Sequence, residues 1–231
     1  LKALLASWRP WALSHEWQLP AGYEAKVKVM EKRKARIEVD ELAHSTFTYE
    51  YKVNEGTERG LSNVANVIHS VDAYILRCIH RRCNYDPEVL AEVRSIMAYK
   101  YHRTPVDYET KLGYYIKQWE RSGIADVVIL PYITSENETQ LPHALVEKLD
   151  SIMDSMAEHQ PFEVVTIHDE FKCHPNNMNQ LRYHYKEILA DLADSALLDD
   201  LLSQIHGAEG SYTKLSTDLG NKIRQASYAL C

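Results

Sequence analysis

Two hydrophobic periods follow one another in this chain. Up to Val53, apolar and polar residues alternate: Ala25, Val27 and Val29 with Lys26 and Lys28, then Phe47, Tyr49, Tyr51 and Val53 with Thr48, Glu50 and Lys52. A period of two belongs to half-buried strands. Beyond the turn-forming stretch NEGTERG, Val64, Val67, Val71, Ile75 and Ile79 recur every three or four residues, which places one face of a long helix against a core. Strands gathered early and helices gathered late define an α+β chain rather than a doubly wound one.

The remaining elements are read in the same way. Residues 1–18 are expected as a short helix ending in Trp8, Trp11 and Trp17, with Pro20-Ala21-Gly22 closing it. Ile37 and Val39 predict a third, shorter strand. Pro87 and Pro105 stand where first-turn prolines open helices, and Gly123 stands as a C-terminal cap. ADVVIL (125–130) predicts a buried strand stopped by Pro131. Leu141, Leu145, Leu149, Ile152 and Met156 form one apolar stripe, so 141–158 is an amphipathic helix expected to pack on a sheet. FEVVTI and EFKCH read as strand, turn and strand. Met178, Leu181, Tyr185, Ile188 and Leu192 share one face of a later helix, and the tail is helical with Gly207, Gly210 and Gly220 as interruptions.

With 231 residues, 45% of them hydrophobic and 26% charged, the chain can bury one large core or two small ones. No apolar run approaches the roughly eighteen residues of a membrane helix, and the first twenty residues lack a signal-peptide pattern. A cytoplasmic location and no membrane partner are therefore expected. Cys78, Cys83, Cys173 and Cys231 are too few and too irregularly spaced for a disulfide framework or a paired zinc knuckle. The net charge of −7 argues against nucleic acid covering the whole surface. KVKVMEKRKAR (26–36) is the exception: Lys26, Lys28, Lys32, Arg33, Lys34 and Arg36 stand against Glu31 alone. That island is either a solvated hairpin or a ribbon that contacts phosphates.

The most pointed chemistry lies in VVTIHDEF (164–171), where an apolar run ends abruptly in His168-Asp169-Glu170. Carboxylates at the end of a buried strand are costly unless a charge offsets them, and Mg²⁺ suits short, hard oxygen ligands. In two-metal phosphoryl transfer such carboxylates hold ions that stabilise the attacking and leaving oxygens, which makes Asp169 the candidate metal ligand. A solvated hairpin tip is the plain alternative.

VVTIHDEF resembles the last catalytic motif of the single-subunit, phage-type RNA polymerases, although Pol I-like DNA polymerases share its His-Asp-Glu form. Three further stretches are similar to the RNA polymerases, in the same chain order: WQLPAGYEAKVKV (17–29); ANVIHSVDAYILR (65–77), with Asn66, His69, Ser70 and Asp72 in the matching places; and the end, IRQASYALC, with Tyr228, Ala229 and Leu230. The resemblance spans roughly residue 15 to the end. It implies a polymerase palm-like antiparallel sheet with packed helices. Asp169 would be a catalytic aspartate that binds Mg²⁺, supported by His168, and His69 would face the nucleotide's sugar or the primer end. Asp72 would bond within the palm, and Tyr228, Ala229 and Leu230 would support the active site. The implied partners are a DNA template, an RNA product and ribonucleoside triphosphates, in an infected host cell or delivered by a virion.

The chain also departs from that family. Glu170 stands where a small residue is usual. About ninety residues separate Arg77 from Asp169, so a helical segment at about 87–160 looks inserted into a palm part spanning 61–231, after an N-terminal helix and strand segment at 1–60. A second metal aspartate and a fingers helix are missing, since RSIMAYKYHR (94–103) matches the latter only in residue types. With Leu1 in place of an initiator methionine, the expectation is that the remaining polymerase lies in a longer chain or a partner subunit and that this chain alone is inactive. Two other readings stay open: a Pol I-like DNA polymerase palm, and a non-catalytic protein-interaction module.

Overall fold

Residues of period two form strands and those of period three to four form helices, an α+β architecture. The computed structural model describes residues 9, 11–56, 61–97, 103–167, 170–208, 210 and 212–228. The strands form three antiparallel pairs: β1 (Ser14–Leu19) with β2 (Tyr23–Lys28), β3 (Met30–Val39) with β4 (Ser45–Gly56), and β5 (Val165–Ile167) with β6 (Glu170–Lys172). The helices are α1 (Leu61–Cys83), α2 (Pro87–Met97), α3 (Lys111–Ser122), α4 (His143–Ala157), α5 (Met178–Asp194), α6 (Leu197–His206) and α7 (Leu219–Gln225). No described helix is long and apolar enough to cross a membrane.

Apolar burial divides between two clusters. The first joins Trp17 and Leu19 of β1, the inner stripe of α1 from Val64 to Ile79, Phe162 and Val164, Leu181 and Ile188 of α5, and Leu201, Leu202 and Ile205 of α6. Trp17 is its largest anchor, 2% exposed, and its Nε1 donates to Ser70 Oγ at 2.9 Å, so the indole is buried without orphaning its N–H. β1 is held on its outer edge by α6: Gln18 N donates to Gln204 Oε1 at 2.7 Å, and Gln204 Nε2 donates back to Gln18 O at 3.0 Å. The second cluster contains only residues from Leu90 to Met156, contributed by α2, α3, α4 and the segment around Val127–Tyr132. Its flanks meet where Phe162 N donates to Cys83 O at 2.9 Å.

Polar links join the clusters. Arg81 of α1 makes a two-pronged pair with Asp126, Nε to Oδ1 at 2.9 Å and Nη2 to Oδ2 at 2.6 Å. Burial works to raise the Asp126 carboxyl, but the Arg81 charge and the Val128 N–H together hold it below its usual range. Arg121 of α3 reaches Asp200 of α6 at 2.7 Å. His159 Nε2 lies 2.8 Å from His184 Nε2 on α5. Burial, then the charges of Arg82 and His159, push His184 down to about 3.

Several expectations are corrected. Residues 14–18 are strand, not helix: His15, Trp17 and Leu19 are buried while Glu16 is exposed, a period of two. Residues 1–8 lie outside the described residues. Ile37 and Val39 do lie on a third strand between β2 and β4, but at 10 residues β3 is longer than expected. Phe47, Tyr49 and Tyr51 are exposed, not half-buried, because β3 and β4 pair with each other and pack extensively on nothing else described. Pro105 precedes α3 in extended chain; the helix starts after Thr110, whose Oγ1 accepts from Gly113 N at 3.1 Å. ADVVIL is no strand. Asp126 accepts from Val128 N at 2.9 Å and starts a 3₁₀ helix over Val127–Tyr132. The stripe of α4 packs on helices, for the second cluster contains no strand. Gly220 does not interrupt the tail but lies within α7.

Two outcomes follow from this packing. A Cβ at Gly113 would stand 1.9 Å from Asp107 O, so Gly113→Ala is expected to destabilise by about 1–3 kcal/mol, lowering the melting temperature by roughly 2–4 °C per kcal/mol. An unchanged melt would contradict the tight α3 start. The second outcome concerns acid. An unfolded histidine titrates near 6.5 and native His184 near 3, so the unfolded state binds the extra proton between these values. Stability present above pH 6.5 is therefore lost as pH falls through that window. In urea unfolding at pH 7, 5.5 and 4.5, His184→Gln should lose less stability on acidification than the parent chain.

Candidate functional site

Spacings of three and four put Arg182, Tyr185 and Lys186 on one face of α5, and three distant parts of the chain meet there. From the β5–β6 hairpin, the Phe171 ring lies 5.6 Å from the Tyr185 ring. From α1, Asp72 acts on the same tyrosine: burial first, then the Asp72 charge, raises the phenol above its usual range. From the C-terminal tail, Arg224 O and Ala226 O accept from Lys186 Nζ at 2.8 and 2.6 Å, and the Arg182 guanidinium lies 5.7 Å from the centre of the Tyr228 ring. Asp72 of α1, Phe171 of the hairpin and the C-terminal tail are thus gathered by one helix. In sequence Tyr185 is only one member of an apolar stripe; its position opposite Phe171 carries no local sequence signal.

The individual candidates fall as follows. His168, Asp169, Ala229 and Leu230 lie outside the described residues. His69 and Asp72 are exposed on α1, and Tyr228 is exposed. Glu170 is exposed and its carboxylate pairs with Lys172 Nζ at 3.0 Å. The strand leading to the acidic turn is not buried as expected: cover ends at Val164, while Val165 and Ile167 are 55% and 48% exposed. The pairing explains this. Thr166 lies opposite Phe171, which faces α5, and alternation turns Val165 and Ile167 to the other face.

A bound Mg²⁺ needs several oxygen ligands at once. At the hairpin Glu170 is committed to Lys172, so such an ion would depend on Asp169 and on ligands beyond the described residues. Among the described residues one group of three side chains has its candidate ligand atoms within 4.8 Å of one another, Glu38, Asp40 and His44 at the turn between β3 and β4. All three are exposed, and His44 Nδ1 lies 3.0 Å from Glu38 Oε1 and 3.2 Å from Asp40 Oδ1.

The basic island lies on β2 and on the β3–β4 ribbon, and register sorts the ribbon into two faces. Arg33, Ala35 and Ile37 stand opposite Tyr51, Tyr49 and Phe47. The other face carries Lys32, Lys34 and Arg36 against Lys52, Glu50 and Thr48. Carboxylates offset part of the charge: Glu16 pairs with Lys26, Glu55 with Arg33 at 2.5 Å and Glu50 with Lys34 at 3.2 Å. Lys32 and Lys52, directly opposite each other, have no such partner among the described residues. Like charges so placed repel, which favours an anion between them. On the aromatic face the Tyr49 and Tyr51 rings are 5.7 Å apart.

Neither protein-family models nor curated proteins give a match to the chain.

Removing the Lys186 ammonium should loosen the tail, which Arg224 also ties to α5 through Glu187, Asp191 and Asp194. Hydrogen bonds to a charged group are worth about 1.5–3 kcal/mol, so Lys186→Ala should speed amide exchange over Leu219–Gln225 while leaving α1 protected. Unchanged exchange in α7 would show that other contacts hold the tail on α5.

Proposed function

We propose that the chain is the C-terminal palm part of a phage-type, DNA-directed RNA polymerase, a nucleotidyltransferase that uses a DNA template and ribonucleoside triphosphates to make RNA. One observation carries this reading: α1 through Asp72, the β5–β6 hairpin through Phe171, and the tail through Ala226 and Tyr228 converge on α5, although they are far apart in sequence. An active site assembled from separate segments needs such a common support, because misplacing a reacting group by about 1 Å can cost a hundredfold in rate. In this reading Phe171 and Tyr185 orient the hairpin, Asp72 bonds within the palm and His69 faces the nucleotide sugar. Lys28, Lys32, Arg36 and Lys52 take phosphates of the template, with the exposed rings of Phe47, Tyr49 and Tyr51 available to stack on bases. A Mg²⁺ bound through Asp169 would supply charge stabilisation for phosphoryl transfer; the other ligands would come from the remaining polymerase segment or subunit.

Two experiments test this. In the enzyme completed with its missing segment, Asp169→Asn should abolish RNA synthesis, and ribonucleotides rather than deoxyribonucleotides should be incorporated. Ordinary synthesis by the variant refutes the assignment; incorporation of deoxyribonucleotides moves it to a Pol I-like DNA polymerase. For the present chain, Lys32→Glu with Lys52→Glu should weaken DNA binding about equally across sequences and flatten its salt dependence by roughly one unit of slope per lost phosphate contact. The Glu170–Lys172 pair favours a second reading, a non-catalytic interaction module with a solvated hairpin tip, and full activity of Asp169→Asn would support it.

A further inference from the structure

We propose that the cleft between α4 and α5 is a binding site for a phosphate-type oxyanion, separate from the hairpin and its chemistry. The cleft has a volume of about 190 Å³ and is lined by Arg82 from the last turn of α1, Lys148 and Ser151 of α4, Tyr183, Glu187 and Asp191 of α5, and Arg224 of α7. Its centre of interest is Arg82. Only 4% of this residue is exposed, yet the one hydrogen bond it makes among the described residues is a long one, Nη2 to Asp191 Oδ2 at 3.4 Å. A guanidinium carries five N–H donors in a planar fork. No Arg82 nitrogen is both enclosed and unpartnered, so the donors that Asp191 leaves unused open onto the cleft, where an acceptor can reach them.

The carboxylates that line the cleft are not free to be that acceptor. Arg224 already engages both, through Nε to Glu187 Oε2 at 3.0 Å and Nη2 to Asp191 Oδ1 at 3.1 Å, and it takes Asp194 Oδ2 with Nη1 at 2.9 Å. Arg82 and Arg224 thus share three carboxylates, and Lys148 stands without a carboxylate partner among the described residues. Lys148 and the hydroxyls of Ser151 and Tyr183 line the cleft without a hydrogen-bonding or ionic partner among the described residues. Burial and the charges of Glu187 and Glu158 keep the Tyr183 phenol protonated, so it enters the set as a donor. Arginine fork, ammonium and hydroxyls are the donors that phosphate recognition uses. Size narrows the ligand further. Pockets for drug-sized ligands run from about 300 Å³ upward, so this one admits a single tetrahedral oxyanion with a few waters and not a nucleotide. Because α4 belongs to the second apolar cluster and α1 and α5 to the first, an anion here would tie one cluster to the other.

The test is isothermal titration of the 231-residue chain with inorganic phosphate, alongside thermal melts in phosphate and in chloride at equal ionic strength. Saturable one-to-one binding and a higher melting temperature in phosphate are expected. Lys148 and Ser151 are exposed on α4, so Lys148→Ala with Ser151→Ala should fold normally and bind phosphate about tenfold more weakly, the loss expected for a charge-assisted contact. Arg82→Gln, if it folds, should abolish binding. A titration indistinguishable from chloride would overturn the proposal, with the cleft then holding only water. It would equally be overturned by undiminished binding in the double variant, or by a nucleoside monophosphate binding more tightly than phosphate itself.

Discussion

Two adjacent arginines in the last turn of α1 hold the molecule together. Successive residues of a helix point about 100° apart, and here that divergence sends Arg81 to Asp126 on the second apolar cluster and Arg82 to Asp191 on α5. A buried ion pair adds little net stability in general, but removing one partner leaves an uncompensated charge and costs about 3–5 kcal/mol. Asp126 is satisfied several times over, by both prongs of Arg81, by the Val128 N–H and by the Cys78 thiol at 3.4 Å. Arg82 keeps one long contact to Asp191, and its other donors open onto the cleft between α4 and α5. One position is thus a closed joint and its neighbour an open one, which explains why the same turn yields both a structural clamp and a candidate ligand site.

Once α1 is fixed, α5 follows from it, and the placement of the candidate chemistry follows from α5. Leu181 and Ile188 face the first cluster, Tyr185 packs at its margin where it meets Phe171 of the hairpin, and Arg182 and Lys186 beside it receive the tail. The proposed contact with nucleic acid, by contrast, rests on a part that shares little of this packing. The β3–β4 ribbon keeps its rings and its lysines outside the core, where burial cannot dictate their identity and a partner can.

What could be read from the residues in advance divides along the same physical line. The long amphipathic stripes of α1, α4 and α5 were plain, because a period sustained over several turns is hard to mimic. The hairpin around residues 168 and 169 was also foreseen as strand, turn and strand. The segment from Ala125 to Leu130 was misread since its composition is that of a strand; what decides its conformation is a carboxylate that caps its own backbone and answers an arginine far away in sequence. Residues 14–19 were misread for the opposite reason, their six-residue alternation being masked by three tryptophans taken as one aromatic cluster. Nor could any local pattern show that Phe171 would find Tyr185, or that Arg82 would line a cleft between two helices, for both depend on how helices meet.

The carboxamide of Gln204 bears on how copies of this chain behave at high concentration. A side-chain amide offers one acceptor and one donor with nearly the spacing of a peptide group, and at Gln18 it stands in for the strand that would otherwise lie beside β1. An incoming chain seeking to extend that pair must first expel a group already tethered to a helix. Self-association by strand addition is therefore directed away from β1 and toward the free margins of the long ribbon.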